Sequence, residues 1–160
     1  MNKYFKKNLS LIQNVIAYIL EEKNMKKVFI FSLLSACSSL SFAATCTKTM
    51  NNNIVNGDLN IPANAVCVLN GSVVNGDITV AKNASLTLNN ATIQGDITAQ
   101  QAKAFHLNKS AVQGDVKLTQ TSSSIVIDKA VINGDLSCAG SVASTGSKNV
   151  INGSVQGKCK

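Results

Sequence analysis

At 160 residues, 45% hydrophobic and 14% charged, the chain is the size of one globular domain and too apolar for disorder. The formal charge of +7 invites a nucleic-acid reading, but residues 1–43 hold six of the lysines and both glutamates. The remainder has no Arg, no Tyr and one aromatic residue, Phe105, so the guanidinium forks and stacking platforms of nucleic-acid binding are missing and no nucleic-acid partner is expected.

Residues 1–24 carry a short apolar pattern (Leu9, Ile12, Val15, Ile16, Ile19, Leu20) and read as an upstream extension or a long n-region, outside the fold. Met25-Lys26-Lys27, the apolar run Val28 to Leu34 and the small residues ending Ser41-Phe42-Ala43 have the three parts of a secretory signal peptide over 25–43. The run is shorter than the roughly 20 residues a membrane-spanning helix needs. Cleavage after Ala43 leaves 44–160 as the exported domain, periplasmic or extracellular. The window Leu34-Ser35-Ala36-Cys37 also has the form of a lipobox, so an outer-membrane lipoprotein anchored at Cys37 is the alternative.

From residue 55 on, a single frame repeats: aliphatic, Asn or Gln, Gly, Asp, aliphatic. Its copies are Val55-Asn56-Gly57-Asp58-Leu59, Val74-Asn75-Gly76-Asp77-Ile78, Ile93-Gln94-Gly95-Asp96-Ile97, Val112-Gln113-Gly114-Asp115-Val116 and Ile132-Asn133-Gly134-Asp135-Leu136, with a degenerate copy at Gly153-Ser154. The period is 19, with one step of 20 between Gly114 and Gly134. Within a period the large aliphatics fall six, six and seven apart, as at Val74, Val80, Leu86 and Ile93, and alternate locally with a step of two. That pattern predicts three short strands per coil with one face buried, joined by turns at Asn-Gly, Lys82-Asn83 and Asn89-Asn90. The fold class is all-β: a single-stranded parallel β-helix of about six coils, right-handed as parallel crossovers are. Positions 55/74/93/112/132/151, 59/78/97/116/136/155 and 69/88/107/127 should stack as inner columns. The one extra residue, in the coil from Ala111 to Ala130, is too little to build a cleft.

The repeated frame, followed by a Thr-Val or Thr-Leu strand, resembles small bacterial parallel β-helix proteins, including the polymer-forming bactofilin type, over residues 50–158. The resemblance implies the architecture. Bactofilins are cytoplasmic and Cys-poor, so their cytoskeletal role is not implied for a chain with an export signal and paired cysteines. The hexad spacing is also similar to the hexapeptide-repeat acyltransferases, whose 18-residue coil and protruding loop are not matched. Polysaccharide lyases share the fold type, but their Arg or Lys base beside an acidic cluster has no counterpart here.

Four cysteines follow the signal. Cys46 and Cys67, and Cys138 and Cys159, are each 21 residues apart, one coil plus two, near the two ends of the repeat array. In an exported protein the pairing Cys46–Cys67 and Cys138–Cys159 would staple each terminal coil to its neighbour. A zinc site would need close C-x-x-C pairs, which are absent.

Stacking places Asp58, Asp77, Asp96, Asp115 and Asp135 in single file. One carboxylate per coil falls short of the six to eight oxygens calcium takes, so the expectation is that each accepts N–H groups of its own Gly turn. The turn glycines are Gly57, Gly76, Gly95, Gly114, Gly134 and Gly153. Asn56, Asn75, Gln94, Gln113, Asn133 and Asn152 should form an amide ladder, and Asn70, Asn89 and Asn108 with Asp128 a shorter one. A glycan-binding amide stripe would ordinarily include aromatic rings for stacking on sugar faces. Thr79, Thr87 and Thr98 begin columns of the ice-binding kind, but Asn60, Lys117 and Ser137 break one and Val68, His106 and Val126 the other. His106, between Phe105 and Leu107, points outward with no Arg, Glu or Cys in its coil. Lys82, Lys103, Lys109, Lys117 and Lys129 read as solubilising surface.

The expectation is therefore a non-enzymatic exported β-solenoid, a structural or binding module of the bacterial cell envelope or extracellular space, with no cofactor. Its partner would be an envelope protein or a glycan. Exposed strand edges at the ends invite head-to-tail self-association, whereas the polar Asn51-Asn52-Asn53 and Lys158-Cys159-Lys160 favour a monomer. Two alternatives remain: an acyltransferase or polysaccharide-acting enzyme with a site near His106, and a calcium-dependent adhesion module using the Asp column.

Overall fold

The structure, a computed structural model, describes residues 43–159. The upstream segment 1–24, the signal segment apart from Ala43, and the lipidation candidate Cys37 lie outside the described residues.

All regular structure among the described residues is strand. The first coil is β1 (Ala44–Thr45), β2 (Thr49–Asn51) and β3 (Ile54–Val55), and the second is β4 (Leu59–Ile61), β5 (Val66–Asn70) and β6 (Val73–Val74). The third is β7 (Ile78–Val80), β8 (Ser85–Asn89) and β9 (Thr92–Ile93), and the fourth β10 (Ile97–Gln100), β11 (Ala104–Asn108) and β12 (Ala111–Val112). The fifth is β13 (Val116–Thr119), β14 (Ser124–Asp128) and β15 (Val131–Ile132), the sixth β16 (Leu136–Ala139), β17 (Ser144–Thr145) and β18 (Val150–Ile151), and β19 (Val155–Gly157) opens a further turn. Every third strand pairs in parallel, giving one seven-stranded sheet and two six-stranded sheets around a shared interior. This is the β-solenoid of about six coils that the 19-residue period predicts.

Register follows the repeat. Leu59, Ile78, Ile97, Val116, Leu136 and Val155 stand above one another, as do Leu69, Leu88, Leu107 and Ile127, and Val55, Val74, Ile93, Val112, Ile132 and Ile151. Parallel pairing at a ~4.8 Å rise puts identical positions in van der Waals contact, so one aliphatic choice per position fills the interior. Most of these side chains are fully buried, each contributing ~1.5–3 kcal/mol before the entropy of ordering. A second pair of inner columns, Ile61/Val80/Ala99/Leu118/Cys138 and Cys67/Leu86/Phe105/Ile125/Ser144, completes the core.

The extra residue of the fifth coil is absorbed at one corner. Gln100 pairs with Thr119, nineteen on, but Ala104 pairs with Ser124, twenty on. Between them Ser122 still donates its N–H to the Ala102 carbonyl (3.0 Å) and Thr121 donates to Ser141 Oγ (3.0 Å). The adjustment leaves Thr121 Oγ1 buried without a hydrogen-bond partner.

Candidate functional site

The Gly-Asp edge is a continuous hydrogen-bonded ladder. Oδ1 of Asp58 accepts the backbone N–H of Asp77 (2.9 Å), Asp77 that of Asp96, Asp96 that of Asp115 and Asp115 that of Asp135 (2.8 Å each), and Asp135 that of Ser154 (2.7 Å). The donor is in the next coil, not in the carboxylate's own Gly turn. A charge-assisted bond per coil offsets the ~1 kcal/mol repulsion between neighbouring exposed carboxylates. Among the described residues no three His, Cys, Asp or Glu side chains converge as a metal ion would require.

The same contact explains the glycines. A Cβ on Gly76, Gly95, Gly114, Gly134 or Gly153 would collide with the Asp carboxylate and glycine backbone of the coil before it. Close approach, not turn conformation, therefore selects glycine there; in this column only Gly57 has a positive φ (114°). One set of left-handed turn residues lies at another corner, on Asn52, Gly71, Asn90, Lys109, Lys129 and Lys148. Lys109 and Lys129 are thus backbone corner residues as well as surface charges.

The amide columns are partly linked. Asn75 donates to Asn56 (2.7 Å), Asn133 to Gln113 and Asn152 to Asn133 (2.7 Å), with Gln94 outside both segments. The longer glutamine side chains do not repeat the asparagine geometry. The shorter column runs Asn108 to Asn89 (3.1 Å), Asn89 to Asn70 (2.9 Å) and Asn70 to Asn51 (2.8 Å). Asp128 ends it, because a carboxylate cannot donate; it accepts from Lys129 Nζ (3.0 Å) and from the Ser147 N–H (3.0 Å). Those two bonds, the lysine's first, hold its carboxyl below the ordinary value of 3.8.

Cys46 bonds to Cys67 and Cys138 to Cys159, with Cα–Cα distances of 5.5 and 5.4 Å. The four side chains are buried inside the tube. The two bridges occupy equivalent positions. Cys46 extends the inner column of Ile61 and Cys138, its N–H bonding to the Asn60 carbonyl (2.9 Å), while Cys159 follows the strand position that meets Ser144 in Cys67's column. At both ends the corner between these columns is shortened: Ala44 pairs with Leu59, fifteen on, and the Ser144 N–H reaches the Lys158 carbonyl (3.1 Å). Each terminal coil is pinched where the bridge crosses it.

His106 is not solitary. Its Nε2 lies 2.7 Å from Ser124 Oγ on the neighbouring strand, a pairing hidden in the sequence because it crosses coils at an offset of 18. The pair has the reach of a base and a nucleophile, but it sits on a sheet face, and no carboxylate among the described contacts orients the ring.

The corner between the seven-stranded sheet and the strand that follows it is not uniform along the solenoid. A shallow notch of about 570 Å³ opens at the corner between the third and fifth coils, lined by Thr79, Lys82, Thr98, Gln100, Thr119 and Gln120 among others. In the second and third coils this corner is a β-turn, Ala65 N–H to Pro62 carbonyl and Ala84 N–H to Ala81 carbonyl (3.1 Å each). From the fourth coil on, the seven-stranded sheet is one residue wider, and the left-handed residue moves to Gln101 and Gln120. Asn83 and Gln101 are eighteen apart while the flanking strand pairs keep nineteen. The notch is the step between the two corner types. Searches of protein families, curated proteins and solved structures return no match to this chain.

Proposed function

We propose that the protein is an exported, non-catalytic β-solenoid serving as a rigid structural or binding module of the bacterial cell envelope or extracellular space. The observation that carries this reading is the pair of equivalent buried disulfides, one closing each end. Such bridges persist in oxidising compartments and are rare in reducing ones. Residues 25–43 supply the export route. Fractionation of cells expressing the full chain, with mass spectrometry after alkylation without reduction, tests it. The expected product lies outside the cytoplasm, begins at Ala44 and carries no alkylated cysteine; an uncleaved cytoplasmic product with all five thiols alkylated would overturn the reading. A product beginning at a lipidated Cys37 would replace the soluble form by the membrane-anchored one.

A second reading, head-to-tail self-association, is favoured by one observation. Val155, in the inner column of Leu59, is 47% exposed beside the unpaired edge of β19. Light scattering across a concentration series separates the two: growth in mass supports stacking, and a constant monomer mass removes it.

A further inference from the structure

We propose that the notch at the widened corner is a binding site for a linear, uncharged β-1,4-linked oligosaccharide lying parallel to the solenoid axis. This rests on the exported binding-module reading and names its ligand class.

The chemistry of the lining is that of sugar recognition. Thr79, Thr98 and Thr119 offer hydroxyls that both donate and accept, and Gln100, Gln101 and Gln120 offer amides that do the same. Gln101 Nε2 donates to Gln120 Oε1 (3.2 Å), which leaves the carbonyl oxygen of Gln101 and the amino group of Gln120 free for another partner. A donor beside an acceptor is what a vicinal diol or an acetamido group presents in return. No carboxylate lines the notch and Lys82 is its one charge, at the rim on the third coil. The Thr methyls with Ala81 supply the apolar part of the surface, against which the C–H face of a pyranose packs.

Geometry sets the direction. Thr79 pairs with Thr98 on successive parallel strands and Gln101 reaches Gln120 one coil on, so one hydroxyl step and one amide step each recur at the ~4.8 Å coil spacing. That spacing is close to the rise of one ring in an extended β-1,4-linked chain, so successive rings meet successive coils. An α-1,4-linked chain, which coils, loses the match after one ring. The notch spans three coils and has no aromatic platform, so affinity rests on hydrogen bonds and is expected on the order of 1 mM.

The test is an amide NMR titration of the full chain, expressed with its own leader and purified oxidised, against cellotetraose, chitotetraose and maltotetraose. The expected result is shifts confined to the backbone amides of Thr79, Lys82, Thr98, Gln100, Gln101, Thr119 and Gln120, with a β-1,4 probe and not with maltotetraose. The double variant T98V/T119V keeps β-branched side chains at two strand positions and should weaken binding about tenfold while its other resonances stay in place. Unmoved resonances at 10-fold the expected constant, shifts elsewhere on the surface, or equal response to all three sugars would overturn the proposal. Thiol alkylation of the same sample reads the parent hypothesis separately. Oxidised protein with unmoved resonances removes the sugar and leaves the exported module, whereas free thiols strike the export reading itself.

Discussion

The two ends of the solenoid carry the same covalent clamp and differ in what covers it. At the N-terminal end Ala44 lies over Leu59, which is 1% exposed, and even Val55, the first member of its column, is 7% exposed. At the C-terminal end no described strand covers β19, and Val155 keeps nearly half its surface in water. A bridge restrains the chain, but only a packed layer excludes water, and the two restraints are separable here because the bridges are equivalent.

The largest expected effect breaks the symmetry of the clamps. Each bridge spans a sequence separation of 21, so loop-closure entropy assigns both the same loss on removal, about 3 kcal/mol. Denaturant melts of C46A/C67A and C138A/C159A measure it. Equal losses would place the stabilisation in the unfolded chain, and a difference above about 1 kcal/mol would place part of it in local packing. The C-terminal variant should also show fast amide exchange confined to 150–159.

Next comes the inner column shared by the two ends. Leu59→Ala should cost about 3 kcal/mol and Val155→Ala less than about 1 kcal/mol, read from the same melts. Similar costs would mean that Val155 is covered in solution, as stacking of a second copy would do.

Away from the ends the effects shrink. Thr121→Val removes a buried hydroxyl without a partner and should stabilise by up to about 1 kcal/mol; a loss would reveal a bound water at that corner. Asp128→Asn should leave stability at neutral pH nearly unchanged, since the column already carries asparagine at the four preceding levels. Its carboxyl is lowered in the folded state, so its contribution is present above pH 3.8 and fades as pH falls through the lower folded value. The asparagine variant should lack that part of the acid dependence.

What the sequence made legible was everything the period repeats: the aliphatic columns, the coil number and the cysteine pairing. A step of 19 tells which residues stack, and stacking decides burial. It could not show why glycine stands at 76 or 114, because an Asn-Gly pair looks the same whether glycine serves a turn or a close approach. The change of corner was hidden because strand spacing stays at nineteen on both sides while only the left-handed residue moves, from Asn83 to Gln101. His106 was read alone, and its contact with Ser124 depends on a two-residue diagonal across strands that the extra residue of the fifth coil sets at an offset of twenty.

Each rung of the Asp ladder is completed by the coil after it and by no other. Stability is then a sum over neighbours, as in any stacked repeat. A duplication of residues 78–96 would add one rung of ~4.8 Å, already complementary on both faces, without touching either clamp. The protein is in this sense a measuring stick: repeat number sets its length, and the two bridges mark where the count begins and stops.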